Sequence, residues 1–187
     1  SKLNELVLSK PLNIAQYRAG RFIGAYLVTL LVFSTTMLGV WIGSGFGSLM
    51  GWLDSEMVGE NKLSYYLVPF FYIAVPSLFV ISSLINAVAM RFRSMVALYL
   101  VAVALLISYL VGSNIFSDIQ YREISAYLDM FALSAMGIQM EYWTIADRNV
   151  MQITLTDQLL HNRLIWVGVA LVALATTVLN TSHHLMQ

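Results

Sequence analysis

Four stretches of this chain, residues 22–42, 67–90, 95–115 and 164–179, contain no Asp, Glu, Lys, Arg or His. A helix needs roughly 20 apolar residues to cross a hydrocarbon core of about 30 Å. The first three stretches meet that requirement. The fourth borrows Leu159 and Leu160 before it, or Leu185 and Met186 after it. One buried helix of a soluble protein can mimic such a run, but hardly four in a chain of 187 residues. In lipid every peptide group must bond internally, so the runs are expected as helices rather than open strands. The fold class is therefore all-α: a polytopic helical membrane protein with four transmembrane helices. Composition agrees, since only 11% of residues are charged where a soluble domain carries about 25%.

Lys and Arg set the direction of insertion. Lys2, Lys10, Arg18 and Arg21 precede the first run, and Arg91 and Arg93 fill the tight turn between the second and third. The loop 43–66 has only Lys62, against Asp54, Glu56 and Glu60. The long segment before the last run spreads Arg122, Arg148 and Arg163 among Asp118, Glu123, Asp129, Glu141, Asp147 and Asp157. The expected topology has both ends cytoplasmic and both larger loops outside. Trp41, Trp52, Tyr65, Tyr66, Trp143 and Trp166 then cluster near the outer face, as an aromatic belt does.

The same runs exclude several chemistries. An ionisable group inside a span marks a proton relay, an ion site or a counter-ion, and the four runs hold none. Haem needs an axial ligand, yet His161, His183 and His184 all fall outside the runs. An intramembrane hydrolase needs a base beside its nucleophile, and no base is present there. Zero cysteines excludes disulfides, Fe–S clusters and thiolate chemistry. A formal net charge of zero offers no handle on nucleic acid. The chain is read as no enzyme, with no metal site and no cofactor of its own.

Within the first run and its exit, Gly39, Gly43, Gly47 and Gly51 recur at four-residue spacing. Small residues so spaced let two helices approach closely; a flexible exit is the equal alternative. Pro76 removes a backbone bond inside the second run and is expected to kink it, with neighbours or Ser77 satisfying the freed carbonyl. Ser82, Ser83 and Asn86 follow as packing groups. Asn13 and Gln16 have capping-box spacing, so a helix is expected to start there and feed the first run. Segment 113–162 is too long for a structureless loop; Ile119, Ile124, Tyr127, Leu128, Phe131, Ala135 and Ile138 predict short amphipathic helices on the outer face. Residues 144–152 read as a polar turn, and Thr156 as the N-cap of a helix running through Arg163 into the last run. Arg163 is expected to snorkel, or to pair with an acid such as Asp157. His161 is read as a lone exposed histidine and not a ligand.

Several stretches resemble a known family. Leu8-Ser9-Lys10-Pro11-Leu12, then Tyr17 and Gly20-Arg21-Phe22-Ile23-Gly24-Ala25, resemble the cytoplasmic coupling region and following helix of type-2 (exporter-class) ABC transporter permeases. Leu128-Asp129-Met130-Phe131-Ala132, Tyr142-Trp143-Thr144, Asp147-Arg148-Asn149 and Asn162-Arg163-Leu164-Ile165-Trp166 look like the outer loop and last helix of a bacterial branch associated with zinc aminopeptidase domains. The resemblance covers nearly the whole chain on short motifs. It implies six helices per permease unit, of which these are the last four, and a longer polypeptide around the chain. No His-Glu-x-x-His is present, so peptidase activity would reside elsewhere.

What the resemblance implies is a permease part of an ATP-driven exporter in a cell inner (plasma) membrane. Lys10, Pro11, Tyr17 and Arg18 would meet a cytoplasmic ATP-binding subunit, and a second permease subunit or half would complete the dimer. ATP and Mg would sit on the partner, because no Walker-type phosphate loop occurs here. Uncharged spans suit a lipid-like or amphipathic cargo. The alternative is a non-transporting membrane anchor or scaffold for an enzyme complex. The chain divides into a coupling segment (1–21), three transmembrane helices (22–115), an extracytoplasmic segment with short helices (116–160), and a last helix with its tail (161–187).

Overall fold

The computed structural model describes residues 14–52, 60–92, 94–115 and 119–179. Lys10, Pro11, Asn13, Asp54, Glu56, Arg93, His183 and His184 lie outside the described residues. All regular structure among the described residues is helical. Three helices are long and apolar enough to cross a membrane, and a fourth apolar helix is shorter. The chain is an all-α helical membrane protein.

Helix α1 runs unbroken over Ile14–Leu49, about 54 Å at 1.5 Å per residue. It therefore passes through residue 21, where the sequence reading ends the coupling segment, and continues past Ile42. Its end is specified locally. Gly51 takes φ +70°, which glycine adopts without the Cβ clash. Trp52 N–H then bonds Gly47 O at 3.0 Å and Gly51 N–H bonds Ser48 O at 3.2 Å. These are the paired bonds of a Schellman stop, and the Phe46–Trp52 ring contact supplies its apolar component. The helix runs through Gly39, Gly43 and Gly47, and Gly51 is where it ends.

Helix α2 spans Ser64–Phe92 and contains a wide π turn over Phe70–Ala74. Val75 N–H reaches back to Phe70 O, and Pro76, next in line, has no N–H to give. The irregularity expected at Pro76 is thus a π turn placed just before it, a way for a helix to absorb an interrupted ladder. Pro69 is the last residue of the first short α-helical piece, directly before the π turn. Helix α3 covers Met95–Ile115.

A cap follows, with a 3-10 turn at Ile119–Tyr121, α4 over Arg122–Leu128, α5 over Leu133–Gln139 and α6 over Ile145–Val150. The expected short helices are present as α4 and α5. The polar turn expected over 144–152 is instead organised around α6. Thr144 Oγ1 accepts from Asp147 N–H at 3.2 Å while the Asp147 carboxylate accepts from Thr144 N–H at 2.9 Å, a capping box.

Helix α7 spans Asp157–Leu179, and Thr156 caps it as expected, its hydroxyl accepting from Leu159 N–H. Helices α2 and α7 form the principal interface, with Val80, Met130 and Ala170 buried among Phe79, Leu84, Phe131 and Trp166. A second cluster of Ala126, Ala132, Ala135 and Leu159 seats the cap on α7. Its small side chains allow backbone to approach backbone, whereas Ile124 and Leu128 turn outward. Ser83, buried, bonds Phe79 O of its own helix at 2.7 Å, so its packing role is one of size.

Two contacts fix the order of the ends. Arg18 Nη1 donates to Thr177 O at 3.0 Å, joining the start of α1 to the end of α7. Gln152 Nε2 donates to Ser64 Oγ at 2.7 Å, joining the start of α2 to the segment before α7. The beginning of the first helix and the end of the last share one end of the bundle, the base; the cap occupies the other.

Candidate functional site

The most polar cluster in the interior is built from two neighbouring residues of α7. Asn162 is fully buried and Arg163 is 6% exposed. Asn162 Nδ2 donates to Ala126 O at 2.6 Å, Asp129 O at 2.8 Å and Tyr127 O at 3.3 Å. Its Oδ1 accepts from Arg163 Nη2 at 2.6 Å and Nε at 3.0 Å. The guanidinium then reaches Ser77 Oγ at 2.8 Å, Met130 O at 3.1 Å and Ile73 O at 3.5 Å. One helical turn on, Trp166 Nε1 donates to Tyr127 O at 3.2 Å. Together these bonds tie the end of α4 to α7, and the π turn of α2 to both.

This overturns two expectations. Arg163 neither snorkels nor pairs with Asp157, and among the described residues no carboxylate stands within ion-pair distance of it. The helix long and apolar enough to span covers Asp157–Thr177 and runs through Arg163 as expected, so a buried ionisable group stands on it although the apolar runs themselves hold none. The physical reason is the cap, whose carbonyls descend over α7 and replace water around the charge. The nearby Asp129 carboxylate is engaged elsewhere, accepting from Phe131 N–H at 2.8 Å and Ser134 N–H at 2.7 Å. Those bonds hold the turn in which Ala132 takes φ 58°. The donors of Asn162 and Arg163 are directed at carbonyl, amide or hydroxyl oxygens. The cluster's chemistry is positional.

Beside it lies a cleft of about 380 Å³ between α1 and α2, with α5 beneath. Phe33, Met37 and Val40 of α1 face Phe70 and Ala74 of α2, and Met136 closes one wall. Towards the cap the two helices are pinned by Ser44 Oγ and Tyr66 OH at 3.1 Å and by Asn61 Nδ2 donating to Trp41 O at 3.0 Å. Towards the base they meet again: Tyr26 OH donates to Val75 O at 2.9 Å, and Phe22 and Tyr26 both stack edge-on against Phe79. Ile73 lines the cleft, and its carbonyl accepts from Arg163. The cluster therefore holds part of the cleft wall.

Of the residues singled out for coupling, Tyr17 and Arg18 lie in the first turns of α1 at the base, and the Arg21 guanidinium sits 5.8 Å from the Tyr17 ring centre. Lys10 and Pro11 are not described. Of the packing residues, Pro76 adjoins the π turn, and Gly47 is buried and takes part in the helix stop. A Cβ added at Gly39 or Gly43 would meet no neighbouring side chain or helix within 4 Å. His161 Nδ1 is within 2.6 Å of Asp157 O, one turn back on its own helix.

Sequence reasoning missed Asn162 and Arg163 as an interior cluster. The available signal was the spacing of this polar pair to Leu159 and Trp166, which places it on a face with apolar neighbours. Two of the motifs quoted for the family resemblance, 128–132 and 162–166, are the two halves of this junction. No known protein family, curated protein or solved structure matches the chain.

Proposed function

We propose that the chain is the permease part of an ATP-driven exporter of the ABC class, with ATP hydrolysed by a separate cytoplasmic subunit. The observation that carries this reading is α1. It is one unbroken helix with Tyr17 and Arg18 at its base end and the cleft wall of Phe33, Met37 and Val40 further along. A push on the segment that precedes it, where Lys10 and Pro11 stand, would travel along a stiff rod to the cleft. Bonds of Arg18, Tyr26 and Ser44 tie α1 to the bundle along the way. The motif resemblance of the N-terminal stretch to a coupling region supports the same direction of force. Closure of the ATPase would rock α1 against α2 as one packed body against another.

A second reading, a membrane anchor for an enzyme complex, is favoured by the Asn162–Arg163 junction, which fixes the cap rather than freeing it. One experiment separates them. The full-length protein is purified in mild detergent and assayed for bound, vanadate-sensitive ATPase, alongside a Lys10→Glu variant. The permease reading expects the ATPase in the wild-type preparation and its loss on charge reversal. A preparation without ATPase supports the anchor. Lys10 is the cleaner position, because Arg18 also bonds Thr177 O within the chain.

A further inference from the structure

We propose that α2 is a hinged helix, bending at the break before Pro76, and that Arg163 is the clamp that sets its angle. The backbone ladder fails twice in succession there. Val75 N–H skips its usual acceptor and reaches Phe70 O, and Pro76 has no N–H to give. Prolines and π turns are the places where helices bend, and π turns recur at functional sites. The two sides of this break are packed unequally. Towards the base, Ser77, Val80 and Ser83 are buried. Towards the cap, neither Ser64–Pro69 nor Phe70–Ala74 contains a buried residue. A segment that buries little surface opens at low free energy. This one carries Tyr66, Phe70 and Ile73 of the cleft wall, so a swing about Pro76 changes the width of the cleft.

Arg163 grips the break on both flanks. Its Nη1 donates to Ser77 Oγ at 2.8 Å, one residue past Pro76 towards the base, and to Ile73 O at 3.5 Å, in the π turn on the cap side. The rest of the fork is fixed independently of α2, by Asn162 Oδ1 and Met130 O. A donor fixed from behind and bonded on both flanks of a bend holds one angle of it. From the other side of α2, Tyr26 OH of α1 donates to Val75 O at 2.9 Å. The oxygens held, on residues 73, 75 and 77, bracket the proline. The bond to Ser77 is short and the one to Ile73 is long, so the clamp is anchored on the packed flank and holds the cap-side flank lightly. The inference stands whether or not an ATPase drives the protein.

The test measures distances between spin labels by double electron–electron resonance on the protein in nanodiscs. The chain has no cysteine, so Leu63→Cys and Arg91→Cys, exposed positions at either end of α2, place one label on each side of the hinge. Arg91→Cys with Leu171→Cys, exposed on α7, gives a control distance that does not cross it. The clamped parent should show one dominant distance between 63 and 91. Loss of a charge-assisted bond shifts a two-state equilibrium about tenfold. Ser77→Ala should therefore raise a second distance population about tenfold and leave the control distance unchanged. Adding Pro76→Ala, which restores the N–H, should return the single distance. Arg163→Lys keeps the charge but not the fork and should act as Ser77→Ala does, so it decides the matter if that variant fails to fold. Ser83→Ala, which removes a buried hydroxyl bonded within its own helix, should change nothing. The proposal is overturned if the clamp variants keep the single distance, which means that no hinge is held there. It is overturned equally if Pro76→Ala does not restore that distance, or if Ser83→Ala broadens it as much, either of which means loosened packing alone.

Discussion

The guanidinium of Arg163 donates to Ser77 Oγ at 2.8 Å, joining the last helix to the second one residue beyond Pro76. A charge in a spanning helix is ordinarily a sign of transport chemistry. Here its Nε, Nη1 and Nη2 are all occupied by neutral oxygens. The cluster therefore acts as a rivet between cap, α7 and the π turn, and the cleft beyond Ile73 inherits its shape from that rivet.

Arg163→Ala should destabilise the protein by about 3 kcal/mol, because it strands buried acceptors that had charged donors. Asn162→Ala should cost about 2 kcal/mol by freeing the carbonyls of α4. The double variant should fall short of the sum by about 1 kcal/mol, since the two side chains bond each other. Thermal unfolding in detergent measures all three, and strict additivity would remove the network from the account.

Tyr26→Phe keeps the ring contact with Phe79 at 5.5 Å and deletes only the bond to Val75 O. The expected loss is about 1 kcal/mol, with faster amide exchange confined to the base-side half of α1. Uniform exchange along α1 would show that this bond does not hold the helix to α2.

Ala132 sits at φ 58° and is fully buried, a combination that β-branched residues resist. Ala132→Val should therefore cost about 3 kcal/mol, and Ala132→Gly should stay within about 1 kcal/mol of the parent. Unfolding midpoints of the two variants check the sign, and equal losses would mean that the turn is not strained.

The Asp147 carboxyl is held below its ordinary 3.8 by the Thr144 hydroxyl, with help from the Thr144 N–H. A depressed carboxylate contributes stability above its unfolded value and loses it as pH falls through its folded value. Helix α6 should thus be intact near neutrality and should exchange its amides faster as pH drops below the ordinary carboxylate range. Thr144→Ala should move that loss to higher pH. Intrinsic-rate-corrected hydrogen exchange across the acid range reads it, and an unshifted profile in Thr144→Ala would contradict the cause.

The spanning helices are legible in the sequence because uninterrupted apolar runs need no partner to be recognised. Thr156 is legible as a cap because N-capping is local chemistry. The same logic applies at Thr144 and Asp147, whose spacing is that of a capping box, yet the surrounding polarity reads as a turn. Pro76 announces an irregular helix, but the partners of the Ile73 and Val75 carbonyls beside it, Arg163 and Tyr26, come from other helices, which no local pattern encodes. Arg163 itself reads as an interfacial anchor because a charge before an apolar run usually is one. Its burial is set by the Met130 carbonyl and by Ile73 and Ser77 of α2, all more than thirty residues away in sequence. The cleft is invisible in the sequence for a related reason: it is the gap left where α1 and α2 part between two pinned ends.

The contacts Arg18–Thr177 and Gln152–Ser64 put the base and the cap at opposite ends of the bundle, and a cytoplasmic base is the prediction that the positive-inside rule makes from the basic residues. Lys62 lies just before α2 at the cap end, and Arg91 near the end of α2 at the base. The chain has no cysteine, so Lys62→Cys and Arg91→Cys each present a single thiol. In right-side-out cells an impermeant maleimide should label the thiol at 62 and spare the one at 91, and inverted vesicles should reverse the pattern. Positive residues bias the side on which short loops stay, and Arg91 lies beside such a loop. Labelling of both thiols from one side would mean that α2 does not cross the bilayer, and with it would go the depth assigned to Arg163 and to the cleft.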